Sequence, residues 1–155
     1  MEPFNEYFKK AIKSLKIADH MTYVTFQVVN EKRLLLKIFE EIHSSINNSI
    51  DAIIYLEFIK GKLIIKSHKE NIENFFRIGK NYNLTNLQLK KIKDILDLNE
   101  KHRQSALEFV KNEKVVIMSD AIKINTIDLF KIKEFLLVAK ELVMNINKEV
   151  IKLKR

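Results

Sequence analysis

Residues 99–103 read Asn-Glu-Lys-His-Arg, and three of them, Asn99, His102 and Arg103, are the chain's best material for a binding or acid–base site. On a helix passing through Ile92, residues Leu96, Asn99, Arg103, Ala106 and Val110 fall within about 40° of one meridian, the one that must face the core. A guanidinium placed there is costly unless it is paired or opens onto a cleft for an anion. Glu57 is a second charge on an apolar face, beside Ile53 and Leu56, and a bidentate Glu57–Arg103 pair would satisfy both groups. His102 beside Arg103 also supplies the residue types of ribonuclease chemistry: a general acid–base next to a cation for the phosphate.

Other constellations are thinner. The four histidines, His20, His43, His68 and His102, lie on four separate segments. Glu40 and His43 have the Glu-x-x-His spacing with which di-iron bundles hold metal, and that chemistry needs a second inward-facing pair. The best second candidate, Asn99 with His102, lacks the carboxylate, so no metal or other cofactor is expected. Ser105 lies close to His102, but no glycine-rich elbow precedes it to present a nucleophile. With only Gly61 and Gly79 in the chain, no phosphate-cradling loop exists, and the absence of Cys removes thiolate chemistry and Cys-ligated metals. Aromatic residues alternate with lysines as in stacking surfaces for bases. Their helical spacing assigns most of them to a core, with Tyr55 and Tyr82 expected at the surface.

The elements that position these residues follow from composition. A chain of 155 residues, 46% hydrophobic, with two Gly and one Pro, is a single domain of long helices with little to punctuate them. The net charge of +8 is mostly Lys, spread along the chain, with its densest runs at 90–93 and 152–155. It offers nonspecific attraction to phosphates and no localised motif. The N-terminal residues lack a signal-peptide pattern and the longest apolar stretch, 52–59, is broken by Glu57 and too short to span a bilayer. A cytoplasmic protein without membrane contact is the expectation.

A first helix begins at Pro3, with Phe4, Tyr7, Phe8, Ala11, Ile12, Leu15 and Ala18 on one face, and runs past His20 into a β-branched stretch, 22–29. Asn30 is placed to cap a second helix carrying Leu35, Ile38, Phe39, Ile42, Ile46, Ile50, Ile53 and Leu56 and closed by Gly61. Ser67 with Glu70 opens a short third helix stopped by Gly79, and Thr85 with Gln88 opens a fourth that extends to about 111–114. A small β-hairpin insertion near 115–125 follows, with Ser119-Asp120 in its turn. Thr126 then caps a last helix whose stripe is Ile132, Phe135, Ala139, Leu142, Val143, Ile146, Val150 and Leu153. The expected architecture is mainly all-α, an antiparallel bundle of four long helices plus one short helix and the hairpin.

Three stretches carry a resemblance: residues 18–25 (ADHMTYVT), 33–36 (RLLL) and 47–57. They resemble small uncharacterised archaeal all-α proteins, and the two-helix pattern of residues 1–60 is similar to HEPN-type bundles. That resemblance implies an RNase or toxin–antitoxin component acting at a dimer interface. HEPN nucleases are identified by Arg, four to six residues, then His. Here Arg33 is too far from His43, no His follows Arg103, and His102-Arg103 has the types in reversed, adjacent order.

Taken together, the expected mode of action is surface recognition of a protein or RNA partner, without catalysis, as a monomer or a homodimer. Asn99, His102, Arg103 and Glu57 are the expected binding residues. The alternatives are a divergent HEPN-like ribonuclease using His102 and Arg103, and a di-iron carboxylate bundle.

Overall fold

The computed structural model describes residues 1–105, 107–118 and 124–154. Pro3 sits in the first turn of α1 (Glu2–His20), where a missing N–H forfeits no intrahelical bond. Helical backbone continues through a π turn (Met21–Thr25) into α2 (Phe26–Val29), so the β-branched run does not end the helix. The π turn has a cause in the sequence. Phe4, Ala11 and Ala18 recur at sevens and are buried, whereas the next buried aromatic, Phe26, comes eight residues after Ala18. One wide turn absorbs the extra residue and returns Phe26 to the core. Thr22, buried within it, donates its hydroxyl to the Ala18 carbonyl at 2.7 Å.

Asn30 adopts a left-handed φ of 53° and terminates this first helical run, instead of capping the next helix as its type suggested. The next helix, α3 (Leu34–Ile59), is the axis of the molecule and touches α1, α4, α5 and α6. Its seam with α1 is built from small residues. Ala11, Ser14 and Ala18 face Ser44, Ser45 and the α3 turns around them, with Ser45 Oγ donating to the Ala11 carbonyl at 2.8 Å and Ser14 Oγ 2.9 Å from Ser44 Oγ. A side chain bonded directly to the neighbouring helix's backbone means that the two backbones lie close together.

Ser67 caps α4 (His68–Ile78), accepting from the Glu70 amide at 3.3 Å. The α-helix ends at Gly79 as expected, not in a left-handed turn but by tightening into a 3₁₀ turn (Gly79–Tyr82) ended by Asn83 at φ 58°. A Cβ at Gly79 would come within 2.7 Å of Leu89 Cδ2, so a larger residue would require the Leu89 side chain to shift. Thr85 and Gln88 form the expected reciprocal capping box for α5 (Asn86–Arg103).

Beyond α5 the chain departs from its helical expectation. Residues 107–111, assigned above to the end of the fourth helix, form strand β1 (Leu107–Lys111), which pairs antiparallel with β2 (Lys114–Met118), and β2 pairs with β3 (Ile124–Ile127). The insertion is therefore a three-stranded meander. Its expected Ser119-Asp120 turn lies outside the described residues, as does Ala106. Asn112 and Glu113 both take positive φ, 51° and 66°, the two-residue turn whose twist suits a hairpin. Val115, Ile117 and Ile127 seal the sheet onto the helices. Thr126 lies in β3, so Asp128 caps α6 (Leu129–Leu153), accepting from the Lys131 amide at 2.8 Å.

The architecture is thus mainly α: four long helical runs (2–29, α3, α5, α6), the short α4, and a small sheet between α5 and α6. Pairs such as Gln88–Glu141 with Lys91–Glu134, and Asp19–Lys140 with Tyr23–Lys133, show α6 antiparallel to both α5 and α1. Among the described residues no helix is long and apolar enough to cross a membrane.

The α1–α3 seam predicts a steric signature. Ala11→Leu should destabilise the fold by about 1–3 kcal/mol through overpacking, whereas Lys9→Leu on the exposed side of α1 should change it by no more than about 0.5 kcal/mol. Urea unfolding of the two variants measures both.

Candidate functional site

Residues 99–103 form the last turn of α5, and this overturns the core-facing assignment of Arg103. A helix that stops at Arg103 has no further core for that residue to face. Lys101 and Arg103 instead bring positive charge to the helix's C-terminal end, where the exposed carbonyls favour it. The Arg103 side chain is 68% exposed and pairs with Glu100, one turn back, at 3.0 Å. Asn99 is half-buried on the same helix.

Glu57 is buried, at 3% exposure, but its partner is not Arg103. The Tyr82 hydroxyl donates to Glu57 Oε1 at 2.6 Å, and Lys60 Nζ lies 3.4 Å from the same oxygen, reaching in from the edge of the site. Tyr82, expected at the surface, is 1% exposed beneath the Lys60 ammonium. Burial, and then the bond to the Glu57 carboxylate, push its phenol well above the ordinary range. The Gly79–Tyr82 turn delivers this ring to the end of α3, and no sequence spacing foretells that pairing.

His102 has gathered carboxylate partners from two other elements. Its Nδ1 is 2.7 Å from Glu108 of β1 and its Nε2 is 3.2 Å from Glu40 of α3. Ser105 Oγ lies 2.5 Å from Glu108 and 2.9 Å from the His102 carbonyl. Ser105 thus contacts the acid and not the imidazole, so the ring is in no position to take its proton. The two carboxylates approach opposite nitrogens of one ring and do not converge on a point where a cation could sit. No group of three or more His, Asp or Glu among the described residues is arranged to hold a metal. Glu40 therefore serves His102, and the Glu40/His43 spacing is not used as a pair. His43 is largely buried, which holds its pKa down at about 4 against the ordinary 6.5, with Glu100, His68 and Arg103 as the nearby charges. Glu40, Glu100 and Glu108 around His102 and Arg103 offset the cations at this end of α5, so it offers no concentrated positive charge for a phosphate.

A different surface has been left uncovered. Besides its buried stripe, α6 carries a second apolar line at sevens: Phe130, Leu137, Met144 and Ile151, exposed to 72, 56, 54 and 46%. Tyr23, swung out by the π turn, lies beside this line, with Lys133 and Lys140 over its ring at 5.5 and 5.4 Å. Phe130, Leu136, Leu137 and Tyr23 border a shallow apolar groove there. Lys140 is further tied to Asp19 of α1 at 2.5 Å, while on the other flank Glu134 accepts from Lys91 at 3.0 Å and Glu141 from Gln88. The sequence signal for this face, a second heptad line beside the core stripe, was present in α6 and is masked by the stronger buried line.

Stability measurements separate these roles. Tyr82→Phe should cost about 1.5–3 kcal/mol by leaving a buried carboxylate short of its donor, and a Glu57→Gln/Tyr82→Phe cycle should be strongly non-additive. Arg103→Ala should cost no more than about 1 kcal/mol and add independently to Glu57→Gln. The pH dependence of unfolding tests His43. The unfolded ring takes its proton near 6.5 and the folded ring only near 4, so the stability supplied by the neutral ring is complete above pH 6.5 and lost as pH falls toward 4. The slope is up to about 1.4 kcal/mol per pH unit in that window, and His43→Gln should flatten it.

No protein family, curated protein or solved structure matches the chain, so geometry alone carries the functional reading.

Proposed function

We propose that this protein works by binding a protein partner through the outer face of α6, without catalysis of its own. The observation that supports the reading is the apolar line Phe130, Leu137, Met144 and Ile151, which spans about 32 Å of helix and remains in water beside a complete core. Scattered exposed apolar residues need no explanation, but a contiguous line of them on one helix marks a contact surface. Helix-in-groove recognition reads such lines as anchors. The ribonuclease alternative built on His102 and Arg103 has less support, because carboxylates already occupy both ring nitrogens of His102 and Arg103 is paired with Glu100 through Nη1.

The test is a photoreactive amino acid placed singly at Leu137, Met144 or, as a control, Lys69 of the full chain in cells. Discrete protein adducts from the two α6 positions, absent from Lys69, are expected. Adducts that ribonuclease removes would put RNA on this face instead, and no adduct at either α6 position would overturn the reading.

A further inference from the structure

We propose that the occupant of the α6 face is a second copy of this chain, its α6 running parallel to the first about a two-fold axis along the helices. The inference rests on the reading of α6 as a protein-recognition face and names the partner.

The kind of partner follows from the spacing. On a straight α-helix a line at sevens drifts about 20° per heptad, so it stays in register only against another helix that supercoils with it. Phe130, Leu137, Met144 and Ile151 keep this spacing over the whole length of α6. A second helix laid along the line would bury all four, one apolar residue per heptad, with charged or polar residues in place of the second apolar position.

The identity and direction of the partner follow from charge. Over the first two heptads the flanks of the line have opposite signs, Lys133 and Lys140 on the side of Tyr23, Glu134 and Glu141 on the side of α5, and Asn147 and Lys148 follow in the third. A two-fold axis parallel to the helix carries each flank onto the opposite flank of the other copy at the same height. Lys133 then meets the partner's Glu134, and Lys140 meets the partner's Glu141. An antiparallel two-fold sets each flank against itself and brings Lys140 onto the partner's Lys140 and Glu141 onto the partner's Glu141. The parallel arrangement sets all four of these charges against opposite ones, whereas the antiparallel arrangement opposes like charges at its centre and gains only Glu134 against the partner's Lys148. The flanks are also pinned in place, by Asp19 and Tyr23 on one side and by Lys91 and Gln88 on the other, so little side-chain freedom is lost on association.

The area is of the right order. The four α6 residues and Tyr23 together expose on the order of 500 Å² of apolar surface, at the upper end for a monomer's largest patch. A standard interface uses about 800 Å² from each partner, which the Lys and Glu flanks bring within reach.

Sedimentation velocity of the purified full chain, with site-directed cross-linking, tests the proposal. A concentration-dependent species of twice 18.4 kDa is expected, and Leu137→Asp should weaken it roughly 30-fold or more while the far-UV spectrum stays unchanged. Because the natural chain has no Cys, single Phe130→Cys and Ile151→Cys variants report direction. In the parallel seam each variant oxidises to a dimer linked to itself. Cross-links that form only when the two variants are mixed would overturn the parallel arrangement. A chain that remains monomeric at all concentrations would overturn self-pairing. If such a monomer still yields foreign protein adducts at Leu137, recognition by α6 stands while its pairing with itself falls; absence of both removes the two readings together.

Discussion

The hydrogen bond from Ser45 to the Ala11 carbonyl marks where two helix backbones come closest, and the other elements are arranged around that approach. Alanine and serine at the seam let α1 lie against α3 with almost nothing between them. Ser49, buried one turn further along α3, has no partner for its Oγ among the described residues. With α1 drawn in this far, α3 has strips left for α4, α5 and α6, and it becomes a helix buried on nearly all sides. That explains why a carboxylate on its buried side, Glu57, must be satisfied internally.

The filling of this core determines what is left outside. Once Ile132, Phe135, Ala139, Leu142, Ile146 and Val150 have closed α6 onto the bundle, no fold-internal use remains for Phe130, Leu137, Met144 and Ile151. Polar groups sort in the complementary way. The cations at the end of α5 meet carboxylates from α3, α5 and β1, which ties the sheet to the helices and neutralises the site that chemistry would otherwise have used. The His102 cluster therefore serves as a polar clasp between elements, and the open apolar line on α6 is what remains for recognition.

Long-period features were legible in the sequence, and short-range geometry was not. The stripes on α1, α3 and α6, the Thr85–Gln88 box and the Ser67 cap all follow from residue type and spacing. Arg103 was misplaced because no glycine or proline marks the end of α5, so helical periodicity extrapolated smoothly into what is strand β1. The β1–β2 turn hid for a related reason: Asn112-Glu113 takes two positive φ angles without the glycine that normally announces them. Glu57 was correctly singled out as a misplaced charge, yet its partner depends on how a 3₁₀ turn carries Tyr82 back to α3, a tertiary fact with no local signature. Gly79 reads as a stop and is one, but the 3₁₀ turn that follows it and the nearness of Leu89 have no local signature.

The π turn in the first helical run has a consequence for descent. Phe4, Ala11 and Ala18 keep one frame, and Phe26 reads in a frame shifted by a single residue. An ancestral or sister chain whose first helix were α throughout would bury the same face with one residue fewer between Ala18 and Phe26. Tyr23 would then leave its place beside Lys133 and Lys140. The extra residue is thus the size of a one-codon insertion, and it divides the helix into two parts that bury their core residues in frames one residue apart.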